Sequence, residues 1–223
     1  MELFSDPEAV DRYLEKHSTE EDPVLKELAR HTYLKEIHPR MLSGPLLGNF
    51  LTLFSRLLSP ERILEIGTYT GYSAICLARG LRPGGKLITI EVNDEFRNTA
   101  LTYFKKANLH QKIELIHGNA LEVLPTLQGR FNLVFVDAQK EDYADYYSLV
   151  IDKVENGGYI LVDNVLWGGK VLDPLPADPA TQAIDEFNKM VADDPRVDNF
   201  ILPVRDGLMV IRKRASEFSS PGG

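Results

Sequence analysis

The stretch "RILEIGTYTGYSAICLA", Arg62 to Ala78, joins an apolar strand pattern to an apolar helix pattern through a turn that contains Gly67 and Gly71. The first backbone N–H groups of a helix have no partner within the helix, so a turn of this kind can receive an anionic or polar group of a ligand. The stretch therefore predicts a strand, a glycine turn and a helix that together hold one end of a cofactor. Several cofactors would fit this pattern.

The same alternation of strand and helix patterns continues along the chain, in "KLITIEV", "KIELIHG", "FNLVFVDA" and "GYILVDNV" with helical segments between them. Apolar strands separated by helices are typical of a mostly parallel sheet that is covered on both faces. The last two strands, "NFILPV" and "LMVIRKR", flank Arg205-Asp206-Gly207, and Asp-Gly favours a tight antiparallel hairpin. The sequence predicts an α/β fold with a doubly wound, mostly parallel, seven-stranded sheet, an antiparallel final hairpin and N-terminal helices.

The length of 223 residues suits one α/β domain with a sizeable core. Helical spacing between residues 6 and 38, interrupted at "STEEDP", predicts an N-terminal helical extension over residues 1–40. The main domain is then expected over residues 41–214. The remaining "ASEFSSPGG", residues 215–223, has the composition of a flexible tail.

Composition and charge argue against several classes of partner. The chain has 25 Lys+Arg against 33 Asp+Glu, a net charge of −8, and no extended basic cluster, so no nucleic-acid partner is expected. The acidic N-terminus does not resemble a signal peptide, and no apolar run reaches bilayer-spanning length, so we predict a cytoplasmic protein with no membrane partner. The single cysteine, Cys76, lies in an apolar helical pattern and is expected to serve packing.

Polar residues stand at the carboxyl ends of the predicted strands, where open α/β sheets bind ligands: Glu65, Gly67, Glu91, Asp137, Asp163 and Asn164. Glu91 follows Gly67 by about one β-α unit, a position from which a carboxylate can accept hydrogen bonds from ribose hydroxyls. Both NAD and S-adenosylmethionine (SAM) carry such a ribose. Each acidic residue taken alone could equally be a solvated strand end or a helix cap.

The composition of the turn favours SAM. The turn Gly67-Thr68-Tyr69-Thr70-Gly71 lacks the G-x-G-x-x-G spacing that brings a pyrophosphate close to a helix start. Its hydroxyl-rich form suits an amino-acid carboxylate, which the Ser73 hydroxyl and nearby N–H groups could receive, while Glu65 could face the ammonium group of the same ligand.

From "HPRMLSGPLLGNF" to "LPVRDGLMVIRKR" the chain resembles the metal-dependent class I O-methyltransferases of the caffeoyl-CoA and catechol type. The resemblance is carried by "ILEIGTYTGYSAICLA", "ITIEV", "HGNALEVL", "FVDAQKEDY", "GGYILVDNVLWGG" and "LPVRDGL". It implies a Rossmann-like methyltransferase fold, a homodimer, and the following site: cofactor contacts at Ser43, Glu65, Gly67, Thr68, Ser73, Glu91, Ala120 and Asp137; metal ligands at Asp137, Asp163 and Asn164; and catalytic roles for Lys140 and Asp137.

The residue types at these positions agree with that chemistry. Two carboxylates and an amide oxygen form a hard donor set that suits Mg²⁺, with Mn²⁺ or Ca²⁺ as alternatives, and leave coordination positions for both oxygens of a vicinal diphenol. Lys140 could take the hydroxyl proton if a nearby cation lowers its pKa. We therefore predict methyl transfer from SAM to a hydroxyl of a catechol-like diphenol.

Two other functional classes stay open at this point. An NAD-type oxidoreductase could use a similar fold, although it would not need the Asp163-Asn164 pair. A non-catalytic SAM-binding protein is the second alternative, although such a protein need not retain Lys140 and the ligand set together. The stretch "GGKVLDPLPADPATQ" is short and shows no matching set of basic and tyrosine residues that would hold a CoA tail, so a small diphenol is expected rather than a CoA thioester.

Overall fold

A computed structural model of the protein describes residues 7–173 and 178–215. The predicted tail therefore lies almost entirely outside the described residues. The strands are β1 Arg62–Ile66, β2 Lys86–Glu91, β3 Ile113–His117, β4 Phe131–Val136, β5 Val154–Asp163, β6 Val197–Leu202 and β7 Leu208–Lys213. They form one sheet in the order β3-β2-β1-β4-β5-β7-β6. Pairing is parallel from β3 to β5 and antiparallel on both sides of β7, which confirms the predicted fold class.

Helices cover both faces of this sheet, as expected for a doubly wound fold. They are α1 Pro7–Lys16, α2 Pro23–Lys35, α3 Gly44–Leu58, α4 Tyr72–Ala78, α5 Arg97–Lys106, α6 Ala120–Val123, α7 Tyr143–Val150 and α8 Pro179–Ala192. Helices α2, α3, α4 and α5 pack against one face of the sheet in a first apolar cluster. Helices α6, α7 and α8 pack against the other face in a second apolar cluster. None of the described helices has the length and apolar character needed to span a bilayer.

The boundaries around β5 differ from the sequence prediction. The pattern "YADYYSLVIDKV" predicts a helix from Tyr143 to Val154, but α7 ends at Val150 and a 3₁₀ turn follows. The strand starts at Val154 rather than at Gly158, because Val154 pairs with Phe131 before a bulge near Gly157 shifts the register. At the other end β5 stops at Asp163, since Asn164 adopts a left-handed φ of 63° that a strand cannot continue.

The α2 helix contacts the glycine turn that follows β1. Asp22 caps α2 by accepting a hydrogen bond from the Val24 N–H at 2.8 Å. Further along the helix, the buried Thr32 hydroxyl lies 3.1 Å from that of Thr70, which belongs to the glycine turn. The α2 helix thus supports the turn directly, while the division of the chain at residue 40 stays a prediction.

The final hairpin is antiparallel as predicted, but its turn is longer than a two-residue loop. Leu202 pairs with Leu208, so residues 203–207 form the connection. Arg205 and Gly207 adopt φ angles of 51° and 86°, which supply the left-handed geometry that the turn requires. The Arg205 guanidinium reaches the carbonyl groups of Leu42 and Ser43 just before α3, so this turn also braces the segment that opens that helix.

Candidate functional site

A cavity of about 1060 Å³ lies at the carboxyl ends of the parallel strands. With the exception of Glu65, every site residue that the sequence predicts lines this cavity: Ser43, Gly67, Thr68, Ser73, Glu91, Ala120, Asp137, Lys140, Asp163 and Asn164. The fold therefore brings together residues from five strand ends or their following loops. This agrees with the expectation that ligands bind where parallel strands end.

Gly67 allows the turn after β1 to pass close to the end of β4. Its φ is 99°, and a Cβ atom at this position would lie 2.0 Å from the carbonyl oxygen of Asp137. The Gly67 N–H also donates a 3.0 Å hydrogen bond to the carbonyl of Ile90. Any larger residue would push the turn away from β4, so only glycine fits this part of the cavity wall.

The Glu91 carboxylate is held in place by backbone N–H groups at the end of β2. Its Oε2 accepts a hydrogen bond from the Tyr69 N–H at 2.7 Å, and its Oε1 accepts one from the Asn93 N–H at 2.9 Å. Each carboxylate oxygen can accept a further hydrogen bond. The geometry is compatible with ribose recognition by Glu91, which stays a prediction.

Glu65 is fully buried behind the cavity wall. Its Oε2 accepts a 2.5 Å hydrogen bond from the Thr89 hydroxyl, whereas its buried Oε1 has no hydrogen-bond partner among the described residues. Burial raises the pKa of Glu65 to about 8, and the nearby hydroxyls of Ser73 and Thr89 oppose that rise only in part. A contact between Glu65 and the ammonium group of a ligand stays a prediction.

The proposed metal ligands come from the ends of two neighbouring strands. Asp163 ends β5 and is 2 % exposed, and its Oδ1 accepts a 2.9 Å hydrogen bond from the Asn164 N–H. Burial, and then the nearby Asp137 carboxylate, raise the pKa of Asp163, while Arg205 acts in the opposite direction. The two neighbouring carboxylates form a negative site whose repulsion a bound cation would relieve.

Among residues 7–173 and 178–215, no group of three His, Cys, Asp or Glu side chains is placed to hold a metal ion. The predicted set is of a different kind, because its third donor is the amide oxygen of Asn164. Such an all-oxygen set has the donor chemistry that Mg²⁺, Mn²⁺ or Ca²⁺ prefers. The residues present therefore fit a hard divalent cation.

Lys140 lies next to the same carboxylates. Its Nζ donates hydrogen bonds to Asp137 Oδ1 at 2.9 Å and to the Tyr143 hydroxyl at 2.8 Å. Burial, the largest effect, lowers the pKa of Lys140, but the Asp137 carboxylate and the Tyr143 hydroxyl together outweigh it and the net shift is upward. The expectation that a nearby cation lowers this pKa stays a prediction.

Two residues that contact the site were not assigned a role from the sequence. Tyr143 follows Lys140 by three positions, the spacing at which side chains on a helical turn meet, so a local signal for its contact did exist. Arg205 reaches backbone carbonyl groups more than a hundred positions earlier, and no local pattern indicates such a contact.

Comparison with known proteins gives consistent results. Residues 15–214 match the model of a family described as O-methyltransferase. A caffeoyl-CoA O-methyltransferase from Mesembryanthemum crystallinum is 38% identical over 178 residues, which cover 74% of this chain and 70% of that protein. Among solved structures, the O-methyltransferase from Bacillus cereus in complex with SAH has a TM-score of 0.87 at 31% identity, with 92% of this chain and 97% of that chain covered. The O-methyltransferase TomG from Streptomyces achromogenes, in complex with SAM and involved in tomaymycin synthesis, has a TM-score of 0.86 at 33% identity, covering 93% and 96%.

Proposed function

The chain belongs to the O-methyltransferase family and is a SAM-dependent O-methyltransferase, and from that premise we propose that its acceptor is a small catechol-like diphenol and that it uses a divalent cation. The two alternative functions, an NAD-type oxidoreductase and a non-catalytic SAM-binding protein, are therefore excluded.

The observation that carries the proposal is the shared cavity. Gly67, Ser73 and Glu91 line the same space as Lys140 and the Asp137, Asp163 and Asn164 set. A methyl donor held at the first group would face an acceptor held at the second. Bringing donor and acceptor together in one enclosed space accounts for a large part of the rate enhancement in group-transfer reactions.

The cation would be held by Asp137, Asp163 and Asn164, with Mg²⁺ as the first candidate because all three donors are oxygen atoms. When bound, it supplies a positive charge that makes an acceptor hydroxyl more acidic. The side chains of this protein orient the acceptor and handle its proton. Lys140 lines the cavity beside Asp137, where its Nζ can contact the acceptor oxygen and help to move the proton from it.

A small diphenol is favoured over a CoA thioester, although the curated relatives include caffeoyl-CoA O-methyltransferases. The segment after Trp167 offers no cluster of basic and tyrosine residues suited to a CoA tail. The Trp167 ring lines the cavity, with its centroid 5.9 Å from Lys140 Nζ. Such a ring can cover one face of a flat aromatic acceptor.

We also propose a homodimer, which exposed apolar side chains on α2 and α3 support. Tyr33, Leu34, Leu53 and Leu57 are each more than half exposed. Large apolar side chains exposed in this way are available for contact with a second copy of the chain. Light scattering of the purified protein tests this assignment, and a monomer at micromolar concentration would contradict it. A cytoplasmic location stays a prediction.

The acceptor proposal is tested with catechol, guaiacol and phenol, assayed with SAM and Mg²⁺ by mass spectrometry. Two adjacent oxygens can occupy two coordination positions of one cation, whereas a single hydroxyl occupies one. We expect kcat/KM to be higher for catechol than for phenol by about 100-fold or more. Excess EDTA should abolish turnover, and added Mg²⁺ should restore it. Similar rates for all three acceptors, or full activity in EDTA, would contradict the proposal.

A further inference from the structure

The hydroxyl of Tyr143 connects the ends of β4 and β5. It accepts a hydrogen bond from Lys140 Nζ at 2.8 Å and donates one to the backbone carbonyl of Asp163 at 2.8 Å. Lys140 in turn donates a hydrogen bond to Asp137. A chain of three hydrogen bonds therefore connects the side chain of Asp137 to the backbone of Asp163, and both residues are predicted metal ligands. Tyr143 is 1 % exposed, and its ring packs edge-on against Phe187 of α8 with the centroids 5.6 Å apart.

The donors and acceptors in this chain have a fixed direction. A tyrosine hydroxyl has one proton, and the Asp163 carbonyl can only accept, so the Tyr143 proton is committed to that carbonyl. The hydroxyl oxygen must then act as an acceptor towards Lys140. Because the Tyr143 ring is enclosed by α8 and cannot rotate away, the position of its oxygen is set by packing.

This arrangement fixes the orientation of the Lys140 amino group. Two of the three directions on Nζ are occupied, one by Asp137 Oδ1 and one by Tyr143 Oη. A single remaining direction is available to a ligand in the cavity that Lys140 lines. With Asp137 alone, Nζ could rotate about that one hydrogen bond, whereas two fixed partners define the third direction.

We propose that Tyr143 is a positioning residue that acts through Lys140: its hydroxyl, anchored on the Asp163 carbonyl, holds Nζ so that its free direction is presented to the acceptor oxygen. The proposal rests on the proposed O-methyltransfer at this cavity. It assigns to Tyr143 an effect on the chemical step and none on the affinity for SAM, because the two hydrogen bonds of its hydroxyl go to Lys140 and Asp163 rather than to the glycine turn.

The first test compares Tyr143→Phe with a matched control, Tyr147→Phe. Tyr147 lies on the same helix, packs edge-on against the same Phe187 at 6.1 Å, and donates a 2.8 Å hydrogen bond to Asp194, yet it does not contact Lys140. Tyr143→Phe should lower kcat about tenfold, with KM for the acceptor and Kd for SAM changed by less than about twofold. Tyr147→Phe should leave all three values unchanged. Equal effects of the two variants on kcat would overturn the proposal.

A double-mutant cycle separates action through Lys140 from a general loss of stability. In a Lys140→Met background, Tyr143→Phe should have no further effect on kcat, because the amino group that it positions is already missing. A second tenfold loss in that background would show that Tyr143 acts independently of Lys140 and would overturn the proposal.

The remaining measurement does not depend on turnover. In nitrogen-15 spectra of the protein without metal or acceptor, the enclosed Lys140 ammonium should give a resolved signal that Lys140→Met removes. The signal should persist in Tyr147→Phe and broaden through faster exchange with water in Tyr143→Phe. The chain could methylate none of the tested diphenols and still show these nitrogen-15 signals. In that case the diphenol proposal is wrong, while the positioning of Lys140 by Tyr143 is supported. A Lys140 signal that Tyr143→Phe leaves unchanged, or no resolved signal in the unmodified protein, would overturn the proposal that Tyr143 positions Lys140.

Discussion

At the scale of single residues, Glu65 is the buried acid that the cofactor site must accommodate. Its carboxyl group is enclosed beneath the glycine turn, with one oxygen bonded to Thr89 and the other without a hydrogen-bond partner in the described part of the chain. Burial raises its pKa from 4.5 to about 8, so the proton is retained in the folded protein near neutral pH. A ligand ammonium placed nearby would favour loss of that proton, which couples the protonation of Glu65 to occupancy of the site.

This shift predicts a stability that depends on pH. Between pH 4.5 and about 8 the unfolded chain has released the Glu65 proton while the folded chain keeps it, so stability falls as pH rises through this window. The contribution is at most about 1.4 kcal/mol per pH unit.

Glu65→Gln keeps the shape of the side chain and should flatten the dependence of the unfolding free energy on pH, as measured by urea denaturation across the window. Glu114→Gln, at an exposed position of β3, makes the same change and is the control. Parallel curves for the unmodified protein and Glu65→Gln would contradict this assignment.

At the scale of elements, the strands and helices followed the sequence wherever a local pattern determined them. Strands β1, β2 and β4 are largely buried, and the Asp178 and Asn119 side chains cap their helices as such residues usually do. The start of β5 could not be predicted, because it depends on Val154 pairing with Phe131 across a bulge. Pairing between distant segments leaves no periodic signal in either one.

The close approach of the β1 turn to β4 gives a prediction at the same scale. Gly67→Ala places a Cβ atom 2.0 Å from the Asp137 carbonyl oxygen and also requires an unfavourable φ of 99°. We expect a loss of about 3 kcal/mol or more in unfolding free energy, measured by urea denaturation. Gly84→Ala is the matched control, because Gly84 has a φ of 79° but no atom within 4 Å of the new Cβ. It should cost only about 1 kcal/mol. A loss at Gly67 no larger than that at Gly84 would show that the two strand ends can move apart freely.

At the scale of the whole molecule, the candidate site was predictable to the extent that it follows strand ends. Asp137 and Asp163 could be assigned to one rim because parallel strands end at the same edge of a sheet. The hydrogen bonds that hold these strand ends and the neighbouring segments in place could not be predicted in the same way. The ties from Arg205 to the Ser43 carbonyl and from Tyr143 to the Asp163 carbonyl use backbone groups, which every residue has, so the sequence does not mark the partners.

The last prediction concerns the cation site, which exists only when the fold joins the ends of β4 and β5. Asp163→Asn keeps the shape of the side chain and removes one of the two neighbouring carboxylates, so the affinity for Mn²⁺, titrated by calorimetry on the SAM-bound protein, should fall about tenfold or more. The same change also removes the repulsion between Asp137 and Asp163, so the unfolding free energy without metal should not decrease.

Glu141→Gln provides the matched control, since Glu141 also lines the cavity but is exposed and bonded to Gln139. It should change Mn²⁺ affinity by less than about twofold, because a solvated charge that is not a ligand contributes little. If both variants weaken Mn²⁺ binding equally, the ion is attracted by the general negative charge of the cavity. If the unmodified protein binds no Mn²⁺, the two carboxylates serve another purpose, and acceptor activation falls to Lys140 alone.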